Sequence, residues 1–322
     1  MKKKNLSDTG VKPEKDGQFK ILCLDGGGSK GFYTLGVLKG IEEMLGRPLH
    51  ERFNLIFGTS TGAIIAALIA LGFEIGQIYN LYKRHIPEIM LAAGPSRRSA
   101  ALARLADEVF GNKTFEDVMT DIGIVAARWI TARPIIFSSN ITRAKGRMGK
   151  FSPGFGVNIS NAVQASCSAY PFFERKKVLT ETGEHAELID GGYCANNPTM
   201  YAIADATVAL GLERSSLRVL NIGVGGYPEP SPQSLKMKLA QKYIPSVQLL
   251  HKTIEMNTQS MEQLRSVLFK DVPTIRVNDA YLDSRMAVGF MEHNVRKLNI
   301  LYQRGRGSFA ERKADIMRLL VS

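Results

Sequence analysis

Residues Gly58-Thr59-Ser60-Thr61-Gly62 constrain this chain more than any other stretch. They satisfy the pattern G-x-S-x-G, follow the apolar run Phe53 to Phe57, and lead into the apolar run Ala63 to Leu71. That context predicts a strand, a sharp turn and a buried helix. A serine on such a strained turn projects its hydroxyl clear of the backbone. Gly58 and Gly62 give the turn room where side chains would crowd the strand and the helix. Ser60 also falls at a helix N-terminus, where free N–H groups and the positive dipole end favour developing negative charge. A plain tight turn can carry the same five residues, so the neighbouring segments decide the matter.

Upstream, the apolar strand Phe19 to Leu24 runs into Asp25-Gly26-Gly27-Gly28-Ser29-Lys30-Gly31. Gly26 to Gly31 satisfy G-x-G-x-x-G between a strand and a helix, the context of a dinucleotide-binding fingerprint. That reading requires an acid at the end of the second strand. Here the second strand ends at Phe57 and Gly58, and Glu42 and Glu43 lie on the intervening helix. A P-loop fails as well, because Phe32 follows Gly31 where lysine is needed. Three consecutive glycines instead expose backbone N–H groups suited to an oxyanion, and Lys30 adds positive charge. The amides of Gly26, Gly27 and Gly28, with that of Thr61, form the expected oxyanion hole.

Ser60 needs a base. The five histidines (His50, His85, His185, His251 and His293) lie in undistinguished surroundings. The best-placed carboxylate is Asp190, closing the apolar run of Leu188-Ile189-Asp190-Gly191-Gly192, although an Asp-Gly turn would look the same.

The remaining sequence alternates strands with helices, which predicts an α/β fold with a mostly parallel central sheet flanked by helices. Expected elements include a strand at 134–139, a helix from about Ser160 to Ala169, a helix after Asn196-Asn197-Pro198 to about Leu210 and a core strand at 217–222. Residues 87–113 read as a helical insertion over the active site. The organisation expected is a loose leader at 1–18 and a single domain at 19–322. Its catalytic motifs lie within 19–225, and its part from 230 to 322 is mostly helical. Cys23, Cys167 and Cys194 are scattered without metal-ligand spacing, which points to a reducing compartment and to neither disulfides nor a metal. Met1-Lys2-Lys3-Lys4 is followed by polar residues rather than a signal-peptide core. The apolar run Gly62 to Phe73 is shorter than the roughly 20 residues of a membrane span. Cytoplasmic residence, with peripheral membrane association when active, follows as the expectation. A net charge of +12 predicts attraction to an anionic partner, for which the acid-free loop Asn140 to Lys150 and the pair Arg97-Arg98 are docking places; the alternative is that much of the charge simply solvates exposed faces.

Taken together, the triple-glycine loop, the Gly58–Gly62 turn and the Asp-Gly-Gly box resemble the patatin-like phospholipase family across about residues 19–225. Asp25 ahead of the glycines, Ala165 to Pro171, and Asn196-Asn197-Pro198 add to the likeness. The resemblance implies a three-layer α/β sandwich carrying a Ser–Asp dyad, with Ser60 as nucleophile and Asp190 as base. Gly31, Gly191 and Gly192 stand with Gly58 and Gly62 as motif glycines. Lys30 stands where many members carry arginine, which keeps the charge without the planar fork. The implied substrate is membrane phospholipid, with no cofactor and no metal. Similarity to bacterial effectors of antiphage signalling adds a cyclic di- or trinucleotide as an activator. Two rival readings are an α/β-hydrolase triad adding His251 or His293 to Ser60 and Asp190, and a basic nucleic-acid-binding protein. No nucleic-acid motif supports the second, so no nucleic-acid partner is expected.

Overall fold

The computed structural model describes residues 17–140, 153–228 and 245–321. The leader up to residue 16 and the basic loop with Arg143, Lys145, Arg147 and Lys150 lie outside the described residues.

The sheet is seeded by β1 (Phe19–Leu24), buried at all six positions. An unbroken apolar strand of this kind needs cover on both faces. Its side chains alternate accordingly. Leu22 and Leu24 join Ile56, Ile122, Leu220 and Ile222 in one apolar layer, and Ile21 and Cys23 join Leu55, Phe57 and Val219 in the other. The neighbours of β1 are β2 (Leu55–Thr59) and β7 (Leu217–Ile222), both parallel to it. Beyond them lie β3 (Asp121–Arg128), parallel to β2, and β8 (Thr274–Val277), parallel to β7. Antiparallel strands finish the other side: β4 (Pro134–Ser138) and β6 (His185–Asp190) pair with β3, and β5 (Lys176–Leu179) pairs with β6. The order is β5-β6-β3-β2-β1-β7-β8, with β4 on β3.

One detail of this pairing builds the site. Val125 of β3 is flanked by Thr59 of β2 and Ile136 of β4, whereas Ala126 is flanked by Asp190 of β6 and Ile135 of β4. With β4 on one edge of β3 throughout, β6 occupies the edge that β2 vacates one residue earlier. The C-terminal ends of β2 and β6 therefore meet head-on along β3.

On one face pack α1 (Gly31–Leu45), α2 (Thr61–Ala70), α3 (Ile75–Leu91), α4 (Pro95–Phe110), α5 (Ile159–Ser166) and the C-terminal helix Val295–Val321. On the other lie α6 (Gly192–Ala195), α7 (Thr199–Ala204) and the helix Pro245–Leu268. The result is a three-layer sandwich, as the resemblance implies, with a mostly parallel sheet, as the alternation of elements predicts. α1 and the C-terminal helix cross closely because both carry glycine at the crossing. A side chain at Gly36 would overlap the Tyr302 carbonyl, and one at Gly305 the Tyr33 carbonyl.

Several boundaries differ from expectation. β2 continues to Thr59, one residue past the expected end at Phe57 and Gly58, so the strand runs further into the motif. α5 ends at Ser166, three residues earlier than its apolar pattern suggests, because Cys167 to Ala169 leave the helix as a series of tight turns. The C-terminal part contributes β8 to the sheet as well as helices. The insertion expected at 87–113 is the end of α3 followed by α4, which packs on α3 and α5.

Candidate active site

Ser60 occupies φ 53° and ψ −123°, a left-handed conformation that a β-carbon-bearing residue adopts only under constraint. The constraint comes from both glycines. A side chain on Gly58 would overlap the Gly62 backbone, and one on Gly62 would overlap the carbonyl of Leu24. Turn, strand and helix are thus packed main chain against main chain, which no other residue type permits.

This turn and the meeting of β2 with β6 bring the two predicted side chains together. The Ser60 hydroxyl donates to Asp190 Oδ2 at 2.6 Å, across 130 positions of sequence. The other carboxylate oxygen, Oδ1, accepts the Gly192 N–H at 2.7 Å. Gly191 makes the required turn, since a side chain there would overlap the Val125 carbonyl. Both Ser60 and Asp190 are buried. Burial pushes the Asp190 carboxyl up to about 7, against the lowering effect of its hydrogen bonds from Ser60 and Gly192. A carboxylate with that affinity for a proton is a far better base for a hydroxyl than an ordinary aspartate near pKa 3.9.

The glycine-rich loop lies directly beside this pair. A Cβ placed on Gly26 would come within 3.2 Å of Ser60 Cβ. Of the four amides expected to line the oxyanion hole, that of Gly26 is already spent on the Asn196 carbonyl at 3.0 Å. The Ser29 N–H goes to the Phe290 carbonyl and the Lys30 N–H to that of Gly27. Among the described residues the N–H groups of Gly27 and Gly28 meet no acceptor, so they, with the first-turn amide of Thr61, remain available. Gly28 holds φ +59°, and a side chain there would run into Phe290. Gly31 keeps the loop against α2, because a Cβ there would stand 2.5 Å from Thr61 Oγ1. Lys30 lies against an aromatic ring. Its ammonium sits 5.9 Å from the centroid of the Tyr227 ring.

Asp25 anchors the loop from beneath. Its carboxylate accepts from Asn221 Nδ2 at 2.8 Å and from Arg276 Nη2 at 2.7 Å, so its role is to tie the end of β1 to β7 and β8. Burial pushes this carboxyl up, and the Arg276 charge opposes the rise.

Three holding residues escape a reading of the sequence. Ser166 Oγ accepts the Ser60 N–H at 2.9 Å and donates to the Val125 carbonyl at 2.6 Å, and the Ser166 carbonyl accepts from Gly191. One serine at the end of α5 thereby bolts the Ser60 turn, β3 and Asp box together. Asn196 Nδ2 donates to the Gly26 carbonyl and to Thr258 Oγ1, clamping the glycine loop to the helix Pro245–Leu268. Arg276 is the third. Ala165 to Pro171 and Asn196 attract attention in the sequence, but their hydrogen-bond partners do not.

No histidine joins the cluster among the described residues. His85 faces Glu108, His293 is exposed, and the side chain of His251 lies outside what is described. Nor does any group of three or more His, Cys, Asp or Glu among the described residues have the placement to hold a metal ion.

A family profile described as "Patatin-like phospholipase" matches residues 22–203. A "cUMP-AMP-activated phospholipase" of Escherichia coli is 61% identical over 302 residues, covering 94% of each chain. A "cGAMP-activated phospholipase" of Vibrio cholerae serotype O1 is 26% identical over 252 residues, covering 69% of this chain and 68% of the relative. Among solved structures, VipD from Legionella pneumophila aligns with TM-score 0.46 at 12% identity, covering 94% of this chain and 68% of that one. With the profile spanning more than half the chain and the Escherichia coli relative nearly all of it, this protein is a hydrolase of the patatin-like phospholipase family.

Proposed function

We propose that the chain is a phospholipase A that cleaves acyl esters of membrane phospholipids through Ser60 and Asp190, under the control of a cyclic nucleotide. The 2.6 Å hydrogen bond from the Ser60 hydroxyl to a buried carboxylate with raised proton affinity carries the reading. Asp190 takes the proton as Ser60 Oγ bonds to the acyl carbonyl carbon. The amides of Gly27, Gly28 and Thr61 receive the resulting oxyanion; one such donor is worth about 10²–10³ in rate. Asp190 passes the proton to the departing glycerol oxygen, and lysolipid leaves an acyl-Ser60. Water then repeats the cycle, giving its proton to Asp190 while its hydroxyl bonds to the acyl carbon. Fatty acid departs and Ser60 recovers its proton. No step calls for a histidine, which favours the dyad over a Ser60–Asp190–His251 or His293 triad.

A bilayer reaches the site most readily from the end of the sheet where β2 stops. The β3–β4 turn stands there with Trp129 at 43% and Ile130 at 81% exposure, and Arg175 lies 4.9 Å from the Trp129 ring centroid. An indole beside a cation and an exposed aliphatic tip suit the headgroup layer. Among the described residues no helix is long and apolar enough to cross a membrane, so peripheral contact from the cytoplasmic side is the mode proposed. Regulation rests on the Escherichia coli relative, whose name states activation by cUMP-AMP. A lipase free to attack its own cell's membrane is toxic, and that gives the physical motive for a switch and for a place in bacterial antiphage signalling.

The test is hydrolysis of fluorogenic phospholipid vesicles by wild type, Ser60→Ala and Asp190→Asn, with and without a cyclic di- and trinucleotide panel. Turnover is expected only in wild type, and more of it with one of the nucleotides. Retained turnover in Asp190→Asn would move the base to a histidine. Identical wild-type rates across the panel would remove the switch.

A further inference from the structure

Behind the glycine-rich loop, away from Ser60, two adjoining cavities open on the C-terminal helix Val295–Val321. One of about 350 Å³ is lined by Tyr227, Arg285, Met286, Val288, Lys297 and Arg304. The other, of about 370 Å³, is lined by Tyr281, Asn299, Gln303 and Glu311. Ile300 and Arg304 belong to both and form the shared wall.

Two groups of this wall have polar capacity to spare, the Arg304 guanidinium and the Tyr227 hydroxyl. Arg304 is half-buried, yet among the described residues it makes no hydrogen bond or ion pair, and its guanidinium lies 5.1 Å from the Tyr281 ring centroid. Tyr281 stacks on Tyr227 at 5.0 Å and 16°. The Tyr227 hydroxyl is buried with no hydrogen-bond partner, and burial pushes the phenol well up, so it stays a donor. The other cations are occupied, Arg285 with Asp283 and Lys297 with Glu292. Asp283 and Glu311 are the acids on the rims. A buried hydroxyl without a partner is costly unless an acceptor arrives to satisfy it, and the half-exposed Arg304 guanidinium, resting on Tyr281 and paired with no carboxylate among the described residues, is placed to receive an anion. With the two rings engaged by each other and by Arg304 and Lys30, the ligand-binding chemistry is that of the planar guanidinium, which suits a phosphodiester, and of the amides of Asn299 and Gln303, which suit base edges.

The cavity walls also touch the catalytic loop. Tyr227 carries Lys30 on its ring. Val288 donates its N–H to the Pro228 carbonyl, and two residues later the Phe290 carbonyl accepts both the N–H and the hydroxyl of Ser29. The Phe290 ring occupies the space next to Gly28. Any shift of Met286 to Phe290 is felt at the two glycines whose amides are open.

We propose that these paired cavities are the binding site of a cyclic dinucleotide, one base in each and a phosphodiester on Arg304, and that occupancy acts on the oxyanion loop through Phe290 and the Tyr227–Lys30 contact. The assignment rests on the regulatory reading above and adds its location and its route. A ligand shifts a protein only by its preference between two states, so the bound form must be the one in which Phe290 holds Gly28 in the working position.

The experiment uses cUMP-AMP and the full chain. Hydrogen exchange of wild type should show protection concentrated in residues 281–307 and in the segment around Tyr227. By calorimetry, Arg304→Glu should weaken binding about 10–100-fold, the range expected for losing a charge-assisted contact. Ile300→Trp, which fills the shared wall without altering charge, should weaken it at least as much. Phe290→Ala should bind within about threefold of wild type but lose most of the stimulation of vesicle hydrolysis. Wild type that binds none of the dinucleotide panel would end both this site and the regulatory reading. Tight binding with protection elsewhere, and with both wall variants unaffected, would overturn the site while leaving regulation standing. Full stimulation of Phe290→Ala would overturn the route.

Discussion

Asp190 carries two opposing demands in one carboxyl. Its proton affinity, raised to about 7 by burial, makes it a competent base only once ionised. Hydrolysis of a soluble ester should therefore rise with pH through about 7 and then level, a single limb visible in kcat/KM. The same shift works against the fold. A carboxyl held near 7 when folded and near 3.9 when unfolded contributes stability that is complete below about pH 4 and lost as pH rises through 7. Asp190→Asn, which cannot ionise, should accordingly melt above wild type at pH 8, with the difference closing toward pH 5. Calorimetry at the two pH values checks this, and the same variant should lose on the order of 10⁴-fold in turnover. At this scale the sequence is informative about Ser60, Asp190 and the glycines, because each sits inside a local pattern. Ser166, Asn196 and Arg276 act through partners 41 to 251 positions away, and single-chain patterns do not encode such pairings.

The elements tell a similar story. Long apolar runs announce β1, β2, β7 and α2, because burial on both faces leaves an unbroken signal in the sequence. β5 and β8 are four residues each with mixed exposure, and such runs carry no periodicity to read. The nucleophile turn is legible for a steric reason that the structure makes concrete. Gly62→Ala would press a methyl into the Leu24 carbonyl, main chain against main chain, so neither side can yield cheaply. The variant is expected to be poorly folded or inactive, with any soluble fraction at least about 10²-fold slower, since small displacements of a nucleophile carry penalties of that size. The β3–β4 turn gives a second expectation. Replacing Trp129 and Ile130 by serine should reduce hydrolysis of vesicles far more than hydrolysis of a short-chain soluble ester, because only the former requires docking. Equal losses on both substrates would remove the turn from membrane contact.

Across the whole molecule, the site depends on strands and helices from most of the described chain. The Asp25–Arg276 pair closes β1 onto β8, and Asp25 is buried. Removing one partner of a buried ion pair strands the other, at a typical cost of about 3–5 kcal/mol. Arg276→Ala should thus lower the unfolding midpoint sharply although Arg276 touches neither Ser60 nor Asp190, and denaturant titration measures it. Phe290 fastens Ser29 from later still in the chain. The order of synthesis then matters. A polypeptide emerging from the ribosome exposes Ser60 early, but it gains the carboxylate, the guanidinium and the loop-fastening carbonyl only as positions 190, 276 and 290 follow. On the dyad proposed above, it has no working centre until then. One proteolytic nick between β8 and the C-terminal helix should likewise disarm the finished protein without touching Ser60.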